Sequence, residues 1–203
     1  MKQEFYLYKS LLDSANSISV NRLFFQAGTN FTPHWHDYFE YEIIISGTAR
    51  HIYNNQIYEI GRGDAYLMNY CDYHAFSTVT DVEIYNVNFN AKAINAELAG
   101  YLLSGVHKLQ HCFYEDELCD IIKKLGKLGE NIKSGEAFSS QLSSAILSEL
   151  IIDIVQKSQP DAKAISFTDK SVVSSILQAF FKRTVFKYSL NDTPTHFLNT
   201  API

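Results

Sequence analysis

The pattern of hydrophobic and polar positions in this chain changes its period near the middle. From about residue 20 to residue 90, short runs rich in Phe, Tyr, Ile and Val are separated by Gly, Asn and Asp, which is typical of strands joined by turns. Residues 50–66 read as a strand, an Asn54-Asn55 turn, a second strand and a Gly-x-Gly-Asp corner. Short strands at such close spacing predict a barrel or sandwich rather than βαβ units.

A period of three to four residues replaces this pattern in the second half of the chain. Residues 115–132 and 139–157 each place apolar side chains on one helical face, and the stripe of the second helix is the wider one. A third helix begins near Thr168 and Asp169, either of which can cap its first turn. Residues 158–163 contain a proline, and we predict that they link the second and third helices.

Composition favours a globular protein of one ordinary domain with a smaller appendage, since the 203 residues are 46% hydrophobic. The net charge of -5 argues against a broad nucleic-acid or anionic-membrane surface, because such surfaces are rich in Lys and Arg. Residues 169–203 hold four basic and two acidic residues, a net +2, so residues 1–168 carry -7. The excess of basic over acidic residues is therefore confined to the C-terminal part of the chain.

Cysteine usage and the start of the chain predict a cytoplasmic protein with no membrane association. Three cysteines without a CxxC pair suggest neither a disulfide framework nor a thiolate zinc site. The first ten residues lack the apolar core of a signal peptide, and the most apolar run, residues 145–155, is short and interrupted by Glu149 and Asp153.

The stretch HWHDYFEYEIIISG holds two histidines and two glutamates in a strand-like run that ends at a glycine. Its spacing resembles the first cupin motif at every position and gap: Gly28, five residues, His34-x-His36, three residues, Glu40, six residues and Gly47. The resemblance implies an all-β cupin barrel, a double-stranded β-helix or jelly roll, followed by an α-helical segment, and therefore α+β content overall.

A second cupin motif is matched in part. Gly63-Asp64 forms the expected corner and His74 falls at the position of the motif's histidine. Asn69 and Cys71 stand in place of the usual proline and glycine, and Thr78 in place of a later asparagine. The resemblance is therefore complete in the first motif and partial in the second.

Strand alternation predicts which side chains share the barrel lumen. If His34 and His36 point inward, the even-numbered residues that follow should do so as well, and the odd-numbered ones should pack on the other face of the sheet. The inward set is Tyr38, Glu40, Glu42 and Ile44, and the outward set is Tyr41, Ile43 and Ile45.

Two kinds of site fit these residues. The cupin resemblance implies a divalent metal (Zn, Mn, Fe or Ni) held by three histidines and one glutamate, namely His34, His36, Glu40 and His74. Alternatively, the same groups hydrogen-bond a small polar ligand directly, without a metal. Glu42 then becomes a second lumen carboxylate with Arg50 as its partner or as an anion anchor, unless both are solvated at a strand edge. The full predicted ligand-binding set is His34, His36, Tyr38, Glu40, Glu42, Arg50 and His74.

The order of barrel, two amphipathic helices, linker and new helix resembles the AraC/XylS family of bacterial transcription regulators. Residues 176–203 are similar to the opening of that family's helix-turn-helix domain. The resemblance implies an effector-binding barrel at residues 1–92, a helical dimerisation and linker region at 93–160, and a truncated start of the DNA-binding domain at 168–203. Because no second reading helix remains, we expect DNA binding only from the full-length protein. The alternative for the tail is a C-terminal helix that covers the barrel.

We therefore predict a non-enzymatic regulatory module in which a small polar effector binds in the lumen and favours one arrangement of the protein. The wide stripe of the second helix is the predicted homodimer face, with burial against its own barrel as the alternative. That face comprises Leu142, Ile146, Leu147, Leu150, Ile151 and Ile154. The rival hypothesis is a metal-dependent cupin enzyme, an isomerase or dioxygenase, with the three histidines and Glu40 as ligands.

Overall fold

The computed structural model describes residues 17–54, 56–70, 72–104 and 109–158, together with the backbone of a short strand near the N-terminus. The predicted third helix and the predicted start of a helix-turn-helix domain at 168–203 lie outside the described residues. The described strands are β1 (Glu4–Tyr6), β2 (Ile18–Phe25), β3 (Asn30–His36), β4 (Phe39–Ser46), β5 (Thr48–Tyr53), β6 (Gln56–Gly61), β7 (Asp64–Met68), β8 (His74–Thr78), β9 (Val82–Phe89) and β10 (Leu109–Cys112).

These strands form two five-stranded sheets. Sheet I has the order β1-β3-β8-β5-β6, and sheet II has the order β10-β7-β4-β9-β2. Neighbouring strands are antiparallel except for the pair β1 and β3. The described helices are a 3-10 turn (Ala91–Ala93), α1 (Ala96–Leu103), α2 (Glu115–Ser134) and α3 (Ser139–Lys157). This arrangement confirms the predicted class, a β barrel followed by helices. Among the described helices, none is both long and apolar enough to span a bilayer.

Two cores lie on opposite faces of sheet II. The lumen core, between the sheets, contains Ile44 with Tyr66 and Phe76, whereas the helix-side core contains Tyr41 and Ile43 packed with residues of α2 and α3. Successive residues of β4 thus point to different cores, because side chains alternate along a strand. The division between inward and outward residues of β4 is the one that the sequence predicts.

Strand β10 joins the helical region to the barrel. It follows α1 in the chain, yet it pairs with β7 through partners such as Leu109 and Leu67. Phe113, the next residue after β10, donates its backbone N–H to the carbonyl of Gly63 at 2.9 Å. Part of the predicted helical region 93–160 is therefore built into sheet II, and residue 92 does not mark a boundary between two separate cores.

The predicted dimer face on α3 requires a correction. Leu142 is 42% exposed, but the other five residues of that face are at most 7% exposed and lie in the helix-side core. The outer surface of sheet II is apolar, and α2 and α3 cover it. The apolar stripe of α3 is wide because it packs against this surface of its own chain. Those five are Ile146, Leu147, Leu150, Ile151 and Ile154.

Two glycines close turns where the backbone of another segment approaches. Gly47, between β4 and β5, has φ +85°, and a Cβ placed there would lie 2.0 Å from the carbonyl oxygen of Asp81. Gly63, before β7, has φ +91°, and its Cβ would lie 2.1 Å from the carbonyl oxygen of Phe113. Only glycine fits such positions, because every other residue carries a Cβ and rarely adopts positive φ.

Candidate functional site

A cluster of polar side chains lies inside the barrel, surrounded by the residues of the lumen core. It is formed by His36 at the end of β3, Glu40 and Glu42 on β4, His74 on β8 and Asn86 on β9. All five are buried except Glu42, which is half-buried. The strands deliver these groups to one place because each polar residue keeps the inward phase of its strand. Buried polar groups of this kind need partners, and most of them have one.

His36 and Glu40 form a buried ion pair. His36 Nε2 lies 2.9 Å from Glu40 Oε2, and His36 Nδ1 donates to the carbonyl oxygen of Tyr38 at 2.7 Å. Burial alone would lower the pKa of His36, but the charge of Glu40 and these two hydrogen bonds raise it. Because both ring nitrogens face acceptors, this environment favours the protonated imidazole. The Tyr38 ring stacks on it with centroids 4.1 Å apart.

Glu40 is the centre of the group. The Asn86 amide donates to Glu40 Oε1 at 2.6 Å and to Glu42 Oε1 at 3.0 Å, and Asn88 fixes that amide by donating to its oxygen at 2.8 Å. Burial alone would raise the pKa of Glu40, but His36, His74 and the Asn86 amide hold it well below the ordinary value. Glu40 is therefore ionised in the barrel interior.

The pKa of the Glu42 carboxyl group is shifted in the opposite direction from that of Glu40. Burial and the neighbouring charge of Glu40 raise the pKa of Glu42 to about 8, although the hydrogen bond from Asn86 opposes the change. Two carboxyl groups that share one amide donor cannot both ionise cheaply in a nonpolar interior. At neutral pH Glu42 therefore keeps its proton, while Glu40 does not.

We expect Glu42→Gln to stabilise the metal-free protein at alkaline pH. The unfolded chain releases this proton near pH 4.5 and the folded chain only near pH 8, so the wild type loses stability as pH rises between these values. The variant should be equally stable near pH 4.5 and more stable at pH 9, by about 2 to 5 kcal/mol, because each unit of the pKa shift contributes about 1.4 kcal/mol and solvent at this half-buried group reduces the total. Urea denaturation in EDTA at several pH values measures this, with Glu59→Gln, an exposed carboxylate on β6, as the matched control. Parallel pH profiles for wild type and Glu42→Gln would contradict the prediction.

His74 and His51 form a second contact in the lumen. Burial, together with the neighbouring histidines, lowers the pKa of His74 well below its ordinary value despite the opposing effect of Glu40. His74 Nδ1 lies 3.4 Å from Nε2 of His51, a fully buried residue of β5. His51 is not among the site residues predicted from the sequence. The available signal was the alternation in β5, where Ala49, His51 and Tyr53 share the inward phase.

The structure does not bring every predicted residue to this group. His34 is half-buried beside it, with its ring centroid 4.2 Å from that of His74 and its Nδ1 donating to the carbonyl of Thr32 at 2.8 Å. Arg50 has a side chain that is 61% exposed, and its Nε lies 3.9 Å from Glu59. The predicted pairing of Arg50 with Glu42 is therefore corrected, because Arg50 takes the outward phase of β5 and its neighbour His51 the inward one.

Three of the four predicted metal ligands are suitably placed. One ligand atom from each of His36, Glu40 and His74 lies within 4.8 Å of the other two, and His34 does not join this set among the described residues. His74 Nε2 is 3.3 Å from Glu40 Oε2, yet in the described part of the chain it has no well-oriented hydrogen-bond partner. Two imidazoles and a carboxylate suit Zn, Mn, Fe or Ni, and the bond from His36 Nδ1 to a carbonyl is typical of a metal-ligating histidine.

The fold and the site together define a β barrel of the cupin type with a buried polar group suited to a small ligand or a metal ion. Residues 24–151 match the model of the AraC-like ligand binding domain, and the chain therefore belongs to this family. The predicted resemblance to AraC-type regulators is thereby confirmed, as is a ligand-sensing regulatory role for this part of the protein.

Similar proteins are regulators. Over 127 residues the chain is 27% identical to the HTH-type transcriptional activator RhaR of Pectobacterium carotovorum and 28% identical to that of Pectobacterium atrosepticum. Each match covers 60% of this chain and 45% of the relative, so the chain spans less than half the length of these relatives. A RhaR of Escherichia coli K12 is 29% identical over 68 residues, which are 34% of this chain and 24% of that protein.

Solved structures match a smaller part of the chain. Oxalate decarboxylase from Bacillus subtilis matches 36% of this chain and 21% of its own with 20% identity and a TM-score of 0.34. A predicted oxalate decarboxylase from Thermotoga maritima matches 35% of this chain and 64% of its own with 23% identity and the same TM-score, 0.34.

Proposed function

We propose that this chain is the effector-binding part of a transcription regulator and that a small hydroxyl-rich molecule binds in the lumen beside Glu40. The observation that carries the proposal is the buried group of His36, Glu40 and Asn86, which offers charged and amide hydrogen-bonding groups in an otherwise apolar barrel. Sites for small polar ligands have this composition, a nonpolar wall with a few convergent polar groups. The Tyr38 ring, stacked on His36, holds that imidazole in place.

The effector can act on the rest of the protein through β4. Glu40 and Glu42 face the lumen, while Tyr41 between them is 1% exposed and packs in the helix-side core. A ligand that shifts these two carboxyl groups therefore also changes the packing of β4 against α2 and α3. To regulate anything, the ligand must bind one arrangement of these elements more tightly than the other.

We expect Glu40→Gln to weaken effector binding at least about tenfold, because a hydrogen bond to a charged group contributes about 1.5 to 3 kcal/mol. A thermal-shift screen of neutral monosaccharides, polyols and sugar acids, performed in EDTA, would identify the ligand, and calorimetry would measure its affinity. Glu59→Gln removes an exposed carboxylate outside the barrel and is the matched control. The proposal fails if the ligand binds Glu40→Gln and wild type equally well, or if no member of the panel binds.

The proposal extends to the full-length protein. We infer that the full-length protein binds DNA through a helix-turn-helix domain and acts as a homodimer in the cytoplasm, as expected for a protein similar to HTH-type transcriptional activators. On the described part of α3, Leu142 and Ile152 remain 42% and 40% exposed. These two residues support a contact that is smaller than the predicted six-residue face. Sedimentation of the chain at several concentrations tests for dimerisation.

A metal-dependent cupin enzyme is the second candidate. The placement of His36, Glu40 and His74 around a common point favours it, whereas the similarity to transcriptional activators favours the regulator. Stoichiometric iron or manganese in protein purified without nickel, together with turnover of a substrate, would support the enzyme. Effector binding by metal-free protein without turnover would support the regulator, and we propose that outcome.

A further inference from the structure

The imidazole of His74 lies between two groups of metal-ligating side chains. Its Nε2 is 3.3 Å from Glu40 Oε2, on the side of His36, whereas its Nδ1 is 3.4 Å from His51 Nε2. One ligand atom from each of Glu42, His51 and His74 lies within 4.8 Å of the other two. The cupin motif predicts ligands on the Glu40 side alone, so it leaves this second group without a role.

We propose that Glu42, His51 and His74 form a binding site for one divalent transition-metal ion, separate from the position beside His36 and Glu40. Two imidazoles and one carboxylate are a ligand set used by zinc sites that keep an open coordination position. The absence of thiolate from the set favours zinc, cobalt, nickel, manganese or iron(II) over copper(I). The proposal does not depend on the identity of the effector.

The distance between the facing ring nitrogens of the two histidines suits two ligands of one metal ion. Two nitrogens that are each about 2.0 to 2.1 Å from a tetrahedral ion are about 3.3 to 3.4 Å apart. The observed separation of His51 Nε2 and His74 Nδ1 is 3.4 Å. Hydrogen bonds from N–H groups to oxygen are about 2.7 to 3.2 Å long. In the metal-free protein the contact is a long hydrogen bond, and its length is also suitable for two ligands of one ion.

The surroundings hold these ligands in place. His51 and His74 are 0% and 3% exposed and come from the adjacent strands β5 and β8. The Tyr66 ring packs edge-on against His51 with centroids 4.6 Å apart, and Asn86 donates to Glu42 Oε1 at 3.0 Å. Groups that orient ligands in this way typically strengthen metal binding by about tenfold or more.

Metal titration of tag-free, EDTA-treated and dialysed protein tests the proposal. We expect ZnCl2 to bind in calorimetry and CoCl2 to give visible absorption, with one equivalent lost or weakened at least about tenfold in His51→Gln and in Glu42→Gln. His36→Gln should retain that equivalent. His111→Gln removes a histidine of β10, outside the ligand group, and is the matched control for nonspecific histidine binding.

Two outcomes would overturn the proposal. One is the absence of zinc and cobalt binding by wild type, and the other is binding that survives His51→Gln but is lost in His36→Gln. Because His51 is buried, circular dichroism must show that the variant folds. Diffraction from wild-type crystals soaked in CoCl2 avoids this problem. An anomalous peak within about 2.5 Å of His51 Nε2 supports the proposal, and a peak beside His36 alone overturns it. Effector binding is measured in EDTA, so its failure would be distinct from a failure here.

Discussion

Gly47→Ala is expected to lower the free energy of unfolding by about 3 kcal/mol or more. An alanine at φ +85° is strained by about 1 to 2 kcal/mol. Its Cβ would also lie 2.0 Å from the carbonyl oxygen of Asp81, and relief of such a clash costs about 1 to 3 kcal/mol in backbone movement. Urea denaturation monitored by circular dichroism measures the loss.

Gly28→Ala is the matched control for that experiment. Gly28 has a similar φ of +82°, but a Cβ placed there has no neighbour within 4 Å among the described residues. This variant should therefore lose only the conformational part, about 1 to 2 kcal/mol. Equal losses in the two variants would show that the close approach of Asp81 to Gly47 does not contribute to stability.

Leu147→Ala should destabilise the protein by about 2 to 5 kcal/mol, because Leu147 is 0% exposed in the helix-side core and its truncation leaves a cavity. The effect should be independent of protein concentration, since the partners of Leu147 belong to the same chain. Leu142→Ala, on the exposed side of α3, is the matched control and should cost less than about 1 kcal/mol at protein concentrations where sedimentation shows a monomer.

The outcome separates the two interpretations of α3. If Leu147 lay in an interface between two copies, its truncation would shift the monomer–dimer equilibrium and leave the stability of the monomer nearly unchanged. Denaturation at several protein concentrations, combined with sedimentation, distinguishes these cases. A loss that disappears on dilution would contradict the structure described above.

Features governed by local periodicity could be predicted from the sequence. Alternation along β4 gives the inward direction of Glu40 and Glu42 and the outward direction of Tyr41, because the side-chain phase of a strand depends on that strand alone. The motif spacing also locates His36 and His74. These residues lie on different strands, and the resemblance to a known fold supplies the proximity that periodicity cannot.

Features that depend on contacts between distant segments could not be predicted. Alternation groups His51 with Ala49 and Tyr53, but His51 comes close to His74 only because β5 pairs with β8, and no local pattern fixes that register. The same register places Arg50 outside the barrel. The surface that packs against the apolar face of α3 could not be predicted either. An amphipathic pattern shows that one face of a helix is buried, but it does not show which surface buries it.

Strand β4 is a wall shared by the two cores, with lumen carboxylates on one side and Tyr41 and Ile43 on the other. A barrel cut at residue 92 would lose β10 and leave the apolar back of sheet II in water. The unit that can be transplanted into a hybrid regulator therefore extends at least to Lys157, the end of α3. A hybrid regulator made from this ligand-binding domain must therefore include its helices as well as its barrel.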